Sequence, residues 1–384
     1  MTILSRRACV LGSLGLGFGA TLPVPVSALT RPQGASMRGA PAPAKIEVLA
    51  HRGACALRPE HTLASYAKAI ADGADFIEPD LQPSKDGVLM ALHENELSRT
   101  TDVAAHPEFA SRRRTVTVGG HTLDGWFIVD FTYAELKTLR LKERIPDIRP
   151  DNARYDGEFQ MVSLDELIDF VAAEAATRGR PIGLVPELKT PYLFTSLGLA
   201  VEDTFLETLS RHSYVAQAPM IVQCFEAPTL RRLRERMGRR DGLRFMQLVG
   251  GEREQPFDVV LAGGTQTYGD MLTDAGLRDM ATYADILSPD IRALIPLGAD
   301  GRLGRPDPVI GRAKAAGLQV FAWEFAPENR FMAADFRDGR GENARNVDGS
   351  VAEIHHYLAA GLDGFFTDDP GVGRRAVDTF RRRG

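Results

Sequence analysis

Short β-rich runs recur along this chain with helical patterns between them, and this alternation limits its fold more than any other feature. Such alternation predicts a parallel sheet covered by helices. Eight repeats in about 340 residues, without a Gly-rich dinucleotide fingerprint, favour a (β/α)8 TIM barrel over a doubly wound sheet. The eight runs are IEVLAH 46–51, DFIEPD 75–80, PIGLVPEL 181–188, MIVQCF 220–225, LRFMQLV 243–249, DILSPD 285–290, LQVFAW 318–323 and GFFTD 364–368.

Two helix starts are marked by capping-box spacing. Ser163 and Glu166 open the stretch SLDELIDFVAAEAA, and Thr132 and Glu135 stand at the same spacing in FTYAELKTLRL. Both patterns predict a helix that begins directly after the Ser or Thr.

The composition is that of a globular protein. The 384 residues are 44% hydrophobic and 25% charged, with a formal net charge of -5 and a pI of about 6.0. No chain-wide positive field would attract nucleic acid or an anionic membrane. We therefore expect no nucleic-acid partner, and no segment after the N-terminus is long enough for stable membrane insertion, whereas the oligomeric state is left open.

The N-terminus has the pattern of an export signal. Arg6-Arg7 precede a weakly apolar, Gly-rich stretch that ends at Val26-Ser27-Ala28. Paired arginines indicate the twin-arginine route. We predict a signal peptide over 1–28, a flexible Pro/Ala/Gly-rich leader over 29–44, a folded domain over 45–384, and a periplasmic or secreted location.

Three cysteines are present, and one of them, Cys9, falls in the predicted signal. Export permits a disulfide between the other two, Cys55 and Cys224. Two cysteines are too few for a disulfide scaffold, and a protein that folds before export does not need one, so the pairing stays open.

Polar residues gather at the ends of the predicted strands. In a TIM barrel these ends form one mouth, where the chemistry takes place. The strand-end residues are His51-Arg52, Glu78 and Asp80, Glu187 and Lys189, Gln223, and Trp323-Glu324.

A hairpin is predicted directly after the second strand. In EPDLQPSKDGVLMALHE the Asp-Gly pair is a turn signal between two β-capable runs. Folding about the Lys85–Asp86 junction would pair Glu78 with His93. This register brings a second histidine to the mouth.

These residue types together suit phosphoryl chemistry. Glu78, Asp80 and Glu187 are hard oxygen donors that favour Ca²⁺ or Mg²⁺, although two histidines leave a transition metal conceivable. Arg52 and Lys189 supply positive charge for a phosphate group. The imidazoles of His51 and His93 suit general acid and base work.

In this order and at these spacings, the motifs HRGA…PEHT, EPDLQPSKDGVLMALHE, LSRTTDV, PELKTP, QCF and GFFTDDP resemble the glycerophosphodiester phosphodiesterase family, especially its longer exported bacterial members. The resemblance covers roughly 46–372. It implies a TIM barrel with an insertion at about 94–160, and hydrolysis of glycerophosphodiesters to sn-glycerol 3-phosphate and an alcohol.

The resemblance also implies a role for each site residue. His51 and His93 would be the acid/base pair, Glu78, Asp80 and Glu187 the ligands of one Ca²⁺ or Mg²⁺, and Arg52 and Lys189 the phosphate contacts. Phe225 and Trp323 would wall the glycerol or alcohol side of the pocket. Glu94 departs from the family pattern, which usually has Asp after the second histidine, and this puts the orientation of His93 in question.

Several alternatives remain at this stage. A related phosphodiesterase would act on lysophospholipids or other lipid headgroups, and a wide apolar groove beside the mouth would favour it. A non-catalytic exported binding protein would be expected to lack a histidine or a carboxylate, and none is missing. The sequence leaves open the leaving alcohol, the native cation, the acid and base assignment of the histidines, and whether water or the glycerol 2-hydroxyl attacks phosphorus.

Overall fold

The computed structural model describes residues 45–381, which form a closed barrel of eight parallel strand positions with helices outside. The predicted signal, the predicted leader and Cys9 lie outside the described residues. Within residues 45–381, no helix combines the length and the apolar character that crossing a bilayer requires.

The eight strand positions follow one another around the barrel in chain order. The first strand pairs in parallel with both the second and the eighth. The seventh and eighth are joined by backbone hydrogen bonds, including Asp363 N to Val320 O at 2.9 Å and Phe366 N to Ala322 O at 2.9 Å. These bonds close the sheet, which confirms the predicted (β/α)8 fold.

All eight predicted β-runs supply barrel strands, and two of these strand positions are split into two short strands. The described strands are β1 Glu47–Ala50, β2 Phe76–Ile77, β3 Asp80–Pro83, β4 Leu89–Ala91, β5 Arg114–Val118, β6 His121–Gly125, β7 Arg140–Leu141, β8 Phe159–Gln160, β9 Gly183–Leu184, β10 Glu187–Leu188, β11 Met220–Cys224, β12 Leu243–Val249, β13 Ile286–Pro289, β14 Gln319–Val320 and β15 Gly364–Thr367.

Helices follow the barrel strands and cover the outer face of the sheet. Both predicted capping boxes are present, at Ser163–Glu166 and at Thr132–Glu135. The α-helices are α1 Leu63–Ala71, α2 Tyr133–Leu136, α3 Pro150–Ala153, α4 Leu164–Arg178, α5 Pro191–Ser196, α6 Val201–Arg211, α7 Ala227–Met237, α8 Phe257–Leu261, α9 Tyr268–Met271, α10 Asp274–Met280, α11 Ile291–Leu294, α12 Val309–Ala315, α13 Val347–Ala360 and α14 Pro370–Thr379.

Prolines split the second and third strand positions beside the predicted carboxylates. Pro79 separates β2 from β3, and Pro186 lies between β9 and β10. Proline has no N–H to donate to a sheet, so the ladder is interrupted at each of these residues. The carbonyl of Pro79 instead accepts a hydrogen bond from the Glu187 backbone N–H at 2.9 Å. This bond sets Glu187 directly beside Asp80, its register partner.

The predicted hairpin forms, but its register differs from the prediction by one residue. Strands β3 and β4 pair Leu81 with Ala91, which centres the turn on Asp86 rather than on the Lys85–Asp86 junction. The turn has three residues and ends in Gly87 at φ 84°, a left-handed conformation that suits glycine. The expected pairing of Glu78 with His93 is therefore wrong, although His93 still reaches the mouth.

The chain between this hairpin and α4 builds a separate small core outside the barrel. It contains the antiparallel pairs β5–β6 and β7–β8. Twelve apolar side chains form this core: Met90, Leu92, Leu97, Val103, Phe109, Trp126, Ile128, Phe131, Leu136, Leu139, Leu141 and Met161. The segment therefore has its own packing, and we call it the insertion (residues 94–160).

Candidate active site

All nine residues predicted for the site line one cavity at the carboxyl ends of the barrel strands. Its volume is about 160 Å³. The lining residues are His51, Arg52, Glu78, Asp80, His93, Glu187, Lys189, Gln223, Phe225, Leu248, Trp323, Glu324 and Phe366.

Three buried carboxylates form the acidic centre: Glu78, Asp80 and Glu187. One oxygen from each lies within 4.8 Å of the others. Gln223 Nε2 donates to Glu78 Oε1 at 2.7 Å, and the Arg52 backbone N–H donates to Glu78 Oε2 at 3.0 Å. Burial raises the pKa of Glu78 to about 7 and that of Glu187 to about 8. Burial thus disfavours the ionised forms of Glu78 and Glu187.

Asp80 is oriented by a histidine from the first loop. His61 Nε2 lies 3.0 Å from Asp80 Oδ2, and His61 Nδ1 lies 2.8 Å from the Tyr66 hydroxyl. Burial alone would raise the pKa of Asp80, but the charge of Lys189 and the hydrogen bond from His61 hold it well below its usual range. His61 thus fixes one of the three carboxylates.

Two positively charged side chains, those of Arg52 and Lys189, lie beside the acidic centre. Arg52 adopts φ 55°, an uncommon left-handed backbone for a non-glycine residue and one often found at functional sites. Its Nη1 lies 3.2 Å from Glu60 Oε2, and its Nε lies 3.3 Å from Asp80 Oδ2. Lys189 Nζ lies 3.0 Å from Glu187 Oε1. Both positively charged side chains are thus held beside the carboxylates.

His51 lies between two carboxylates. Its Nδ1 lies 2.6 Å from Asp368 Oδ1, and its Nε2 lies 2.9 Å from Glu324 Oε2. Arg149 Nη2 holds the other oxygen of Asp368 at 2.5 Å. Burial disfavours the charged imidazole, but the carboxylates, Glu324 foremost, raise the pKa of His51 well above its usual value. His51 is therefore protonated at neutral pH.

His93 has the opposite environment. Burial and the charges of Arg52 and Lys189 lower its pKa well below the usual value. Its Nδ1 lies 3.2 Å from Glu94 Oε1, but the two groups are not aligned for a hydrogen bond. The Gln82 amide donates to the His93 carbonyl at 2.7 Å and fixes the backbone instead. His93 is therefore neutral at the same pH.

A second cavity of about 310 Å³ adjoins the first on the His51 side. The two cavities share His51, Arg52, Trp323 and Glu324. The second cavity has a mostly charged lining, which includes Glu60, Glu143, Arg144, Arg149, Asp290, Arg292 and Asp368. It can receive a polar group attached to a phosphate near Arg52.

The insertion contributes charged groups that the sequence analysis did not identify. Arg144 makes ion pairs with both Glu60 and Glu94, and Arg149 pairs with Glu328 at 2.8 Å. No periodic pattern marks such residues in an irregular segment. The two carboxylate partners of His51 did have a signal, because Glu324 directly follows one predicted strand and Asp368 is the last residue of another.

Simpler surroundings are found around the two aromatic residues of the cavity, His106 and the two described cysteines. Phe225 and Trp323 pack edge to face with their centroids 5.9 Å apart, beside Lys189. His106 of the insertion is paired with Asp102 and Glu108 and does not line the cavity. Cys55 and Cys224 are both buried free thiols, so the two do not pair.

Comparison with known proteins identifies the family of this chain. The model of the glycerophosphoryl diester phosphodiesterase family matches residues 51–372. A glycerophosphodiester phosphodiesterase of Arabidopsis thaliana is 33% identical over 339 residues, which cover 84% of this chain and 83% of that protein. One of Haemophilus influenzae is 27% identical, covering 63% of this chain and 68% of that protein.

Solved structures show the same fold. A Silicibacter pomeroyi protein is 21% identical with a TM-score of 0.61, over 88% of this chain and 94% of its own. An Oleispira antarctica phosphodiesterase, solved in complex with the product sn-glycerol-3-phosphate, is 20% identical with a TM-score of 0.56, over 87% of this chain and 97% of its own. From the family match, which spans most of its length, the chain belongs to the glycerophosphoryl diester phosphodiesterase family.

Proposed function

We propose that this protein hydrolyses glycerophosphodiesters to sn-glycerol 3-phosphate and an alcohol, using one divalent cation and two histidines. The observation that carries the proposal is the single cavity in which the acidic centre, two cations and two oppositely protonated histidines meet. The names of the relatives support the substrate class, and the product bound to the Oleispira antarctica enzyme supports the product.

The acidic centre fits a hard divalent cation. Its donors are carboxylate oxygens, without a thiolate, and such donors favour Ca²⁺ or Mg²⁺. Glu78, Asp80 and Glu187 would hold the ion, and its charge would favour the ionised forms of Glu78 and Glu187, which burial disfavours. When bound, the ion would stabilise negative charge on the phosphoryl oxygens.

Arg52 and Lys189 would hold the phosphate. Arg52 lines the cavity, and its Nε lies 3.3 Å from Asp80 Oδ2 without the alignment of a hydrogen bond. Lys189 faces the same cavity from the third strand position. Fixed positive charge at these two points favours the charge that builds up on phosphorus oxygens during the reaction.

The two histidines would divide the proton transfers. His51 is held protonated between Glu324 and Asp368 and is therefore suited to donate a proton to the leaving alkoxide. His93 is held neutral and is suited to accept the proton of the attacking oxygen. Groups whose pKa values are pushed apart in one site commonly have such paired roles.

The decisive experiment is an assay of the purified protein against a panel of glycerophosphodiesters, after chelation and with each cation added back. We expect release of sn-glycerol 3-phosphate that depends on Ca²⁺ or Mg²⁺. Binding of the substrates without turnover under every metal condition would instead favour a non-catalytic binding protein.

We also propose that the chain is exported by the twin-arginine route. The support is the sequence pattern of Arg6-Arg7 followed by a Gly-rich apolar stretch and Val26-Ser27-Ala28. Replacing both arginines with lysine should leave folded, unprocessed protein in the cytoplasm, as judged by fractionation and mass. Normal export of this variant would indicate the general secretory route.

A further inference from the structure

A second cluster of metal-ligating side chains lies at the mouth, separate from the acidic centre. It consists of His51, Cys55 and Asp368, and one ligand atom from each lies within 4.8 Å of the others. All three side chains are buried, yet all three line the charged cavity of about 310 Å³, which gives an ion access to them. The cluster shares no residue with the acidic centre.

The backbone holds the three residues of this cluster together. His51 and Cys55 follow strand β1, and Asp368 follows β15, which is the parallel neighbour of β1. The His51 backbone N–H donates to the Thr367 carbonyl at 3.1 Å, and the Ala56 backbone N–H donates to the Asp368 carbonyl at 3.0 Å. The cluster is therefore built on two strand ends that are hydrogen-bonded to each other.

Arg149 of the insertion orients two members of the cluster from outside. Its Nη2 lies 2.5 Å from Asp368 Oδ2, and its Nη1 lies 3.7 Å from Cys55 Sγ. Glu328 pairs with the same guanidinium at 2.8 Å and balances its charge. The other carboxylate oxygen, Asp368 Oδ1, is thereby left facing His51 Nδ1 at 2.6 Å. Outer partners of this kind commonly fix the orientation of metal ligands.

The donor atoms of the cluster differ from those of the acidic centre. The cluster offers one sulfur, one imidazole nitrogen and one carboxylate oxygen, whereas the acidic centre offers three carboxylate oxygens. Thiolate and imidazole donors suit Zn²⁺ and do not suit Ca²⁺ or Mg²⁺. Three protein ligands with a fourth position towards a cavity also match an open zinc site. The two clusters would therefore select different ions.

We propose that His51, Cys55 and Asp368 bind a thiophilic divalent cation such as Zn²⁺, and that this ion inhibits the enzyme by occupying His51. The ligand atoms would be His51 Nδ1, Cys55 Sγ and Asp368 Oδ1. His51 Nε2 stays on the other edge of the ring, 2.9 Å from Glu324 Oε2. Binding of the ion is independent of the proposed function, but inhibition rests on it, because inhibition takes His51 as the proton donor.

Binding of the ion releases two protons and removes the acid. The Cys55 thiol loses its S–H proton and the His51 imidazolium loses its Nδ1 proton, both to solvent, while Asp368 is already ionised. Burial raises the pKa of Cys55 to about 12, so the metal competes with a proton for the sulfur. The bound imidazole keeps only its Nε2 proton, and release of that proton would form an imidazolate. The leaving alkoxide would then lack its proton donor.

The first test measures binding without measuring activity. Co²⁺ serves as a spectroscopic probe for the Zn²⁺ site, added to protein whose acidic centre is saturated with Ca²⁺. We expect a thiolate-to-metal charge-transfer band that one equivalent of Zn²⁺ removes. Cys55→Ser should lose the band, whereas Cys224→Ser, which alters the other buried free thiol, is the matched control and should keep it.

Glu187→Gln alters only the acidic centre and should also keep the band. A missing band in the unaltered protein, or a band that persists in Cys55→Ser, would overturn the inference.

The second test measures inhibition on glycerophosphocholine at saturating Ca²⁺. Zn²⁺ should lower turnover over the same concentrations that displace Co²⁺. Cys55→Ser should keep its basal turnover, which also shows that it folds, and should need at least about 10-fold more Zn²⁺, since even the loss of an outer partner costs that much affinity. Cys55→Ala gives the same comparison without a hydroxyl. Cys224→Ser should remain as sensitive as the unaltered protein.

Two outcomes of the second test would overturn inhibition at His51. One is equal sensitivity of Cys55→Ser and the unaltered protein to Zn²⁺. The other is relief of the inhibition by additional Ca²⁺, which would place the inhibitory Zn²⁺ at the acidic centre.

The two tests also distinguish this inference from the proposed function. A Cys55-dependent band in a protein that turns over no glycerophosphodiester would contradict the proposed function and support the metal site. Turnover without the band would contradict only the inference. A Cys55-dependent band together with turnover that Zn²⁺ does not lower would contradict the inhibition.

Discussion

The two histidines of the site lie in the same cavity but in opposite electrostatic surroundings. His51 lies between Glu324 and Asp368, which raise its pKa, whereas His93 faces Arg52 and Lys189, which lower its pKa. Burial acts in the same direction on both, so the difference comes from the charged neighbours. The charged residues at the neighbouring strand ends thus determine the pKa of each imidazole, and one residue type can supply both an acid and a base.

Loss of a carboxylate of the acidic centre, or of its metal ion, should lower turnover the most, because this centre lies beside both histidines. Glu187→Gln should lower metal affinity and turnover together, and chelation of the unaltered protein should abolish turnover. Metal affinity from calorimetry and rates on glycerophosphocholine would check this. Glu158→Gln, at an exposed position outside the acidic centre, is a suitable control. Full activity of the chelated protein would contradict the metal assignment.

The next largest loss of turnover should come from substitution of either histidine, and the choice of substrate should distinguish their roles. His51→Ala and His93→Ala should each lower turnover about 10²- to 10⁴-fold on a natural diester. A substrate that releases p-nitrophenolate needs little protonation of the leaving group, so His51→Ala should recover on it while His93→Ala should not. The double variant should lose less than the product of the two single losses, because residues acting as a unit are non-additive.

The opposite recovery, with His93→Ala rescued, would reverse the assigned roles. If both single variants kept near-normal turnover while still binding metal, the histidines would be structural.

The pH profile should sharpen the comparison. A protonated His51 is present below its raised pKa, so activity should fall only as the pH rises well above 6.5. At saturating Ca²⁺ or Mg²⁺, which would keep Glu78 and Glu187 ionised, a neutral His93 is present above its lowered pKa, so activity should fall only as the pH drops well below 6.5. Glu324→Gln should move the alkaline limb to lower pH by about one unit, because it removes a neighbouring charge.

Glu342→Gln, at an exposed position, is the control for this shift. The acid limb should stay in place in both variants. An unchanged alkaline limb in Glu324→Gln would mean that His51 does not govern it.

A substitution in the insertion should lower turnover the least. Arg144 pairs with Glu60, which holds Arg52, and with Glu94, which follows His93. Arg144→Ala should therefore lower turnover less than either histidine variant, while metal affinity stays unchanged. Arg154→Ala, whose arginine is exposed in the same insertion, should have no effect on steady-state rates. A loss as large as that of His93→Ala would instead place Arg144 in contact with the substrate.

Much of the fold and of the inner site follows from the sequence, because barrel geometry brings the ends of distant strands together. Glu78, Glu187 and Trp323 could be assigned to one mouth once their strands were recognised. The register of the β3–β4 hairpin could not be predicted, because Asp-Gly indicates a turn but does not determine whether its loop has two or three residues.

The ion pairs of the insertion were also beyond sequence reasoning. Arg144 and Arg149 lie in an irregular segment, where no repeating pattern states which way a side chain points. The apolar face of the β5–β6 hairpin was readable as alternation in RTVTV, but alternation alone does not reveal that this face lines a groove rather than a core.

The proline breaks at Pro79 and Pro186 have a consequence for the evolution of such barrels. The acidic centre lies where the ladder is already interrupted, and the bond that joins the two strand positions there runs between main-chain atoms of Pro79 and Glu187. Exchange of the Asp80 or Glu187 side chain therefore leaves the sheet hydrogen bonds intact. We expect a single substitution at Asp80 or Glu187 to remove activity while the barrel still folds. Inactive paralogues could therefore arise from this fold by one mutation.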